Sequence, residues 1–331
     1  MKTPRFWYLR PDGDYSPLLP VLLSPLSGLF QLGTFLRRAF ASHSRARVPL
    51  ICVGNVVTGG AGKTPTAIAL ARLFKEEGYK PVFVTRGYGG KFTSGGNVVY
   101  VDPAQHTAAD VGDEALLLAG VAPTWASRDR VAAIGQAQSY GTIIIMDDGF
   151  QNPHIAPSAS LLVIDAETGI GNGHVVPAGP LRESFAAALA RAKAMIIIGG
   201  EDRQKLAARA KIPVFRAHLQ PEIPPGFPRE GRFVAFAGIG WPEKFYATLR
   251  DMGLDVAETC DFPDHHVFDQ ADIDGLRLRA EEQGAYLLTT EKDATRLPPA
   301  FRAEVVVLPV SLVFDGPDAA NSIMRLCVAS K

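Results

Sequence analysis

The stretch VPLICVGNVVTGGAGKTPT, Val48 to Thr66, decides how the rest of the chain is read. Val48 to Val53 is a short apolar run with β-branched residues, the pattern of a buried strand, and it stops at Gly54. The turn Gly59-Gly60-Ala61-Gly62 then leads through Lys63-Thr64 into an alanine-rich amphipathic segment, Ala67 to Lys75. Strand, glycine turn and helix in this order have the form of a phosphate loop. Glycines let backbone N–H groups converge on phosphate oxygens, and the helix N-terminus adds positive potential. Lys63 neutralises the β- and γ-phosphates, and the Thr64 hydroxyl is a ligand for Mg²⁺. In G-x-x-x-x-G-K-[ST] the opening glycine would fall at Val57; here the glycines come later, at 59, 60 and 62. The plainer alternative is a glycine-rich turn ahead of a helix, but a strand in front and GKT behind are the context that nucleotide binding requires.

The chain as a whole sets bounds on this reading. At 331 residues it is long enough for two α/β domains with a sizeable core. Lys plus Arg and Asp plus Glu balance at 34 each, which argues against bulk nucleic-acid binding and leaves room for a local basic patch. Cys52, Cys260 and Cys327 are far apart without CxxC spacing, so neither a disulfide framework nor a zinc site is expected, and a reducing cytosol fits.

From Tyr15 to Leu36 no side chain is charged, and the run is long and apolar enough to raise a membrane span. Pro17, Pro20 and Pro25, with Gly28 and Gly33, argue against a straight spanning helix. A signal peptide is also suggested by Lys2, Arg5 and Arg10 before the run and Ala39-Phe40-Ala41 after it, yet Arg37, Arg38 and an ATP-type loop just downstream oppose secretion. Two readings remain from pattern alone. One is a helix in the bilayer interface, with Leu22, Leu26, Leu29 and Phe30 at helical spacing and Arg37, Arg38, Arg45 and Arg47 as lipid-facing charge; the other is a helix packed on the domain's own core.

Downstream, Pro81 to Thr85 reads as a strand ending in Arg86-Gly87-Tyr88-Gly89-Gly90, on the ligand side of an α/β sheet. Asp110 to Glu114 reads most simply as a helix cap. Thr142 to Met146 is a buried strand running into Asp147-Asp148-Gly149-Phe150-Gln151. An apolar strand ending in aspartate after a GKT loop has the form of the second nucleotide motif, whose carboxylate holds Mg²⁺. Leu161 to Asp165 is a further strand, and Ala194 to Ile198 is expected to close the sheet. Between them runs the irregular segment Gly169 to Glu183, too long for a plain connection. Past Glu201 the strand–helix order repeats in a smaller unit. His265-His266 there suggests a metal, but no cysteine or third histidine stands nearby to complete a zinc site. The expected division is an N-terminal helix region (1–47), a P-loop-like α/β domain with helices on both sheet faces (48–200), a smaller α/β domain (201–304), and a return strand, Val305 to Phe314, with a C-terminal helix (305–331).

Nine strings across most of the chain resemble the tetraacyldisaccharide 4′-kinase family, the lipid A 4′-kinases of Gram-negative bacteria. They are VGNVVTGGAGKTP (53–65), TRGYGG (85–90), VGDEALLLA (111–119), SRDR (127–130), DDGFQ (147–151), GNGHVVPAGPLRE (171–183), FAGIGWPEKF (236–245), FPDHH (262–266) and TTEKDATRL (289–297). The displaced loop glycine resembles the family's own version, whereas Asn152-Pro153-His154 after DDGFQ departs from it. The resemblance implies transfer of the ATP γ-phosphoryl group, with Mg²⁺, to the 4′-hydroxyl of tetraacyldisaccharide 1-phosphate, giving lipid IVA. It implies a peripheral protein on the cytoplasmic face of the inner membrane, its N-terminal helix touching anionic lipid, with no nucleic acid and no obligate protein partner. It also implies site residues. Thr58, Gly59, Gly60, Ala61, Gly62, Lys63, Thr64 and Pro65 would hold nucleotide, and Thr64, Asp147 and Asp148 the metal. Asp113 would be the base, paired with His265. Arg86, Tyr88, Glu114, Arg130, Gln151, Arg182, Glu183 and Asp264 would surround them. The competing reading is a membrane-associated P-loop ATPase switch that binds a protein partner, which leaves Asp264-His265-His266 without a role. A GTPase is disfavoured because no N-K-x-D string occurs.

Overall fold

The computed structural model describes residues 4–8 and 18–329; Lys2, Arg10, Tyr15, Pro17 and the Arg5 side chain, which entered the reading of the N-terminus, lie outside what it describes. The strands, in chain order, are β1 (Leu50–Gly54), β2 (Pro81–Thr85), β3 (Val99–Tyr100), β4 (Thr124–Ala126), β5 (Ile143–Asp147), β6 (Ala159–Asp165), β7 (Ala194–Ile198), β8 (Val214–Pro221), β9 (Arg232–Ala237), β10 (Asp255–Asp261), β11 (Tyr286–Thr290), β12 (Val306–Leu308) and β13 (Val310–Phe314). Nine form one sheet in the order β13-β8-β7-β6-β1-β5-β2-β4-β3, and four form a second in the order β10-β9-β11-β12. Only β13 and β3 run antiparallel to their neighbours in the large sheet; the small sheet is wholly parallel.

β1, β5 and β7 are buried at every position, which is why they read as unbroken apolar runs: a parallel sheet is covered on both faces. Alternate residues separate the two layers. Cys52, Ile144, Met146, Leu162 and Ile197 point to one side, and Ile51, Val53, Ile145, Leu161 and Ile196 to the other. On that second side Leu70 and Phe74 arrive from the helix Lys63–Glu76, and Ile323, Met324 and Cys327 from the C-terminal helix Ala319–Val328. Each such fully buried apolar side chain contributes roughly 1.5–3 kcal/mol. The small sheet repeats the plan, with Phe236, Leu276 and Phe301 on one face and Phe233, Tyr246 and Leu249 on the other.

Two expected boundaries move. Ala194–Ile198 does not close the large sheet: β8 pairs parallel with it, and β13 pairs antiparallel with β8. Residues 201–221 therefore belong with the large sheet, not with the smaller unit. Val305 to Phe314 is not a single strand either. Pro309, which has no N–H for a ladder, separates β12 in the small sheet from β13 in the large one, and its carbonyl accepts from Glu222 N at 2.8 Å. The chain thus leaves and re-enters the large sheet side by side.

Leu18–Ala39 is one helix that accommodates Pro25, and it is long and apolar enough to cross a membrane by length and composition. Only Pro20 and Ser27 are buried along it, while Leu18, Val21, Leu22, Leu29 and Phe35 stand mostly exposed. It is therefore not a helix packed on the core. Ser27 Oγ fastens it, donating to Val175 O at 2.7 Å and accepting from Ala178 N at 3.2 Å. Arg37 stays exposed as expected, whereas Arg38 turns inward to a buried acid. Arg37 donates to Gln151 O at 3.1 Å, and Arg38 makes two hydrogen bonds to Glu183, at 2.7 and 3.0 Å. Glu183 is 3% exposed, and a carboxylate so buried needs a cation.

Candidate active site

The loops after β1, β2 and β5 leave the C-terminal ends of three adjacent parallel strands, the edge where open α/β sheets bind ligands. Gly62 ends the first loop with φ +80°, a backbone conformation that favours glycine because residues with a side chain rarely adopt it. The helix that follows begins at Lys63, with its first N–H groups facing the loop. Thr58 is held by its N–H to Pro180 O at 2.9 Å, and Pro65 sits in the first helical turn, where its missing N–H costs nothing.

Register puts Val53 beside Asp147, so the strand that feeds the loop also sets the carboxylate next to it. Thr64 Oγ1 donates to Asp147 Oδ2 at 2.9 Å, whereas Asp147 Oδ1 is buried without a partner. Burial, then the nearby Glu114 carboxylate, pushes the Asp147 carboxyl up to about 7. A hydroxyl and an orphaned carboxylate oxygen, side by side at the phosphate loop, fit Mg²⁺, which prefers oxygen ligands and binds through one or two carboxylates plus phosphates.

Asp148 has φ +51°, an uncommon conformation for a non-glycine residue that turns its side chain toward basic groups. Lys63 Nζ lies 3.7 Å and Arg182 Nη1 3.1 Å from Asp148 Oδ1, and Arg130 Nη2 donates to its carbonyl at 2.9 Å. Burial raises this carboxyl, but Lys63, Arg182 and Arg130 outweigh it and hold the group below its ordinary range. Arg182 also donates to Gln151 Oε1 at 3.3 Å, while Gln151 Nε2 donates to Asn55 O at 2.7 Å and to Glu183 at 3.3 Å. Arg86 stands exposed at the end of β2, near enough to Arg130 for their charges to repel.

Asp113 and His265 are 152 positions apart and meet across the two sheets, Asp113 Oδ2 lying 2.9 Å from His265 Nδ1. Asp113 opens the helix Asp113–Ala119 behind Gly112, and His265 has φ +59°. The Tyr88 ring lies against His265 at 5.4 Å, and Asp264 Oδ2 is 3.8 Å from its Nε2. Burial raises the Asp113 carboxyl, but the His265 hydrogen bond and the charges of Lys292 and Arg296 lower it further, so it is ionised at neutral pH. Glu114 pairs with Lys292 at 3.4 Å. His266 goes elsewhere, to Asp272 at 2.7 Å, and no cluster of three His, Cys, Asp or Glu residues able to hold a metal occurs among the described residues.

Three residues without an assigned role complete this arrangement. Lys292 and Arg296 come from the β11 end, and Arg296 bonds to Gly238 O, His266 O and Asp293, fixing the turn that carries His265. Their signal was a polar tetrapeptide, Thr290-Glu291-Lys292-Asp293, at the C-terminal end of a parallel strand. Lys244, from the helix Pro242–Asp251, reaches Asp165 at the end of β6 at 2.5 Å and so joins the units at a second point.

A glycine turn into GKT, an aspartate on the neighbouring strand and a carboxylate–imidazole pair facing them define a P-loop enzyme of the phosphoryl-transfer type. The sequence profile of the tetraacyldisaccharide-1-P 4′-kinase family, LpxK, matches residues 19–328, and the chain belongs to that family. The tetraacyldisaccharide 4′-kinase of Parvibaculum lavamentivorans is 51% identical over 302 residues, 90% of this chain and 87% of that protein. That of Methylobacterium nodulans is 50% identical over 333 residues, 98% and 96% of the two chains. The crystal structure of LpxK from Aquifex aeolicus in complex with ATP has a TM-score of 0.73 at 25% identity, covering 93% of this chain and 99% of that one.

Proposed function

We propose that this chain phosphorylates the 4′-hydroxyl of a tetraacyldisaccharide 1-phosphate from ATP, with Asp113 and His265 as its proton-accepting pair. The observation that carries the assignment of roles is their 2.9 Å contact between the two sheets, with Glu114, the neighbour of Asp113, close enough to raise the Asp147 carboxyl. Asp113, ionised, takes the proton of the attacking hydroxyl. His265 orients the carboxylate through its hydrogen bond to Asp113 Oδ2. Lys63, Arg182 and Arg130 neutralise charge on the transferring phosphoryl group, and the N–H groups from Gly59 to Lys63 cradle its neighbours. Thr64 and Asp147 are the residues that fit Mg²⁺, which when bound supplies charge neutralisation at the β- and γ-oxygens. Asp148, committed to Lys63 and Arg182, orders those cations in preference to ligating metal.

A lipid acceptor requires the site to meet a bilayer. The exposed apolar side of Leu18–Ala39 supports peripheral docking on the cytoplasmic face of the inner membrane, with Arg45 and Arg47 toward anionic headgroups. The test is incubation with γ-labelled ATP, Mg²⁺ and the disaccharide 1-phosphate, which should yield labelled lipid. Labelled inorganic phosphate alone would replace the kinase by an ATPase. Co-sedimentation with anionic vesicles, reversed by high salt, checks the docking, and association that resists salt and alkali would replace docking by insertion.

A further inference from the structure

Lys292 stands in the short helix Glu291–Ala294 after β11 and turns back toward the large sheet. Its Nζ lies 3.5 Å from His265 Nε2, 3.4 Å from Glu114 Oε1, 3.9 Å from Asp264 Oδ1 and 4.0 Å from Asp113 Oδ2. An ammonium has three protons to donate and no lone pair. Beside Nε2 it selects the imidazole form in which Nε2 is the acceptor, which leaves the ring proton on Nδ1, where Asp113 receives it at 2.9 Å. The same ammonium draws together acids from both units, Asp113 and Glu114 from one and Asp264 from the other. Burial pulls the Lys292 amine down, but Glu114, Asp113 and Asp264 together raise it above its ordinary range, so it stays charged. Arg296 cannot substitute: it approaches Asp113 through Nε at 3.6 Å, and its terminal nitrogens are spent on Gly238, His266 and Asp293.

We infer that Lys292 is a positioning residue for phosphoryl transfer, which fixes His265 as its Nδ1–H tautomer and ties the start of the Asp113 helix to the His265 turn. The inference rests on the Asp113–His265 pair being the proton acceptor.

The test uses the full chain with Lys292→Met, Lys292→Arg and, should the Met variant melt too low to assay, Lys292→Gln. Nitrogen-15 histidine spectra, with the His265 resonances assigned by their absence in His265→Ala, should show the Nδ1–H tautomer in the wild type and a mixture in Lys292→Met. kcat should fall roughly 10- to 100-fold with KM for ATP little changed, as expected when a reacting group is misplaced by about 1 Å, and Lys292→Arg should recover part of it. In a His265→Ala background Lys292→Met should cost less than about threefold more, because it acts through the residue already removed. An unchanged tautomer in Lys292→Met, or a full multiplicative loss on top of the residual activity of His265→Ala, overturns the inference and leaves the base assignment standing. A His265→Ala enzyme as active as wild type overturns both.

Discussion

Replacing Gly112 by alanine moves Asp113, the proposed base, without touching its chemistry. Gly112 has φ +92° and ψ 146°, a region closed to residues with a side chain, and a Cβ there would be driven onto the Tyr88 carbonyl oxygen and stand 3.1 Å from Gly87 C. The backbone alone costs roughly 1–3 kcal/mol. The collision is with main chain of the Tyr88 turn, which cannot rotate away as a side chain can. Relief to an ordinary carbon contact requires a displacement of about 1 Å, and Asp113, as the next residue, moves with it. A shift of that size costs on the order of 10²-fold in rate when it separates reacting groups. We expect Gly112→Ala to stay folded with a lower melting temperature, to lose about 10²-fold in kcat for lipid phosphorylation, and to keep its KM for ATP, because Gly59–Gly62 lies on another loop. Gly135→Ala is the control: it sits within the helix Arg130–Ala137 with nothing near its Cβ position, and should be neutral or stabilising by roughly 0.5–1 kcal/mol. A folded Gly112→Ala enzyme within threefold of wild-type kcat would refute the dependence of rate on the Asp113 position.

Lys63→Ala should remain folded, since Asp148 keeps Arg182, and should lose nearly all phosphorylation; activity within a few-fold of wild type would remove Lys63 from the phosphate site. Asp113→Ala and His265→Ala should each lower kcat by roughly 10²–10⁴-fold with ATP affinity unchanged, and the double variant should be barely worse than the worse single one; multiplicative losses would mean independent action. Because burial raises the Asp147 carboxyl, the group that must ionise to ligate Mg²⁺ gains its proton near neutrality. Calorimetry should therefore find Mg²⁺ binding that weakens from about pH 8 to about pH 6 and releases protons, both lost in Asp147→Asn, and a pH-independent affinity would exclude Asp147 as ligand. Arg38→Ala leaves buried Glu183 with Arg191 and the Gln151 amide, which should cost about 1–3 kcal/mol in thermal unfolding, and adding Glu183→Gln should restore part of it; no change in melting would show that the Arg38 pair adds nothing.

What could be read from the sequence was what is local. The phosphate loop is a run of adjacent residues whose types dictate strand, turn and helix, and Asp147 announces itself by ending an apolar strand. Asp113 is different. Its Oδ1 accepts from Glu114 N at 2.8 Å, much as the plain reading of a helix start supposes, and its second oxygen meets a histidine 152 positions away. No window of sequence holds that pair, so only the family resemblance suggested it. Distance also explains the misreading of Arg38: locally it follows an apolar helix as lipid-facing charge would, but Glu183, 145 positions away, supplies a buried partner. The strand Val214–Pro221 was assigned to the wrong sheet because turn-forming segments lie on both sides of it, and pairing partners are not encoded in a strand's own residues.

The charge arrangement separates nucleotide binding from proton removal. Around Asp148 the basic groups Lys63, Arg130 and Arg182 come from the large unit. Around Asp113 the reverse holds, because His265, Lys292 and Arg296 all come from the small unit. Asp113 is 4% exposed with those partners in place, and the groups that compensate its burial come from the small unit. On this reading the base is complete only while the units meet, and the meeting is also held by Lys244 on Asp165 and by the approach of Gly240 to Gly60. An enzyme with a lipid acceptor and a water-soluble donor gains from that division. On the proposed roles, the hydroxyl and carboxylate beside the phosphate loop belong to the large unit, and proton removal needs His265 from the small one.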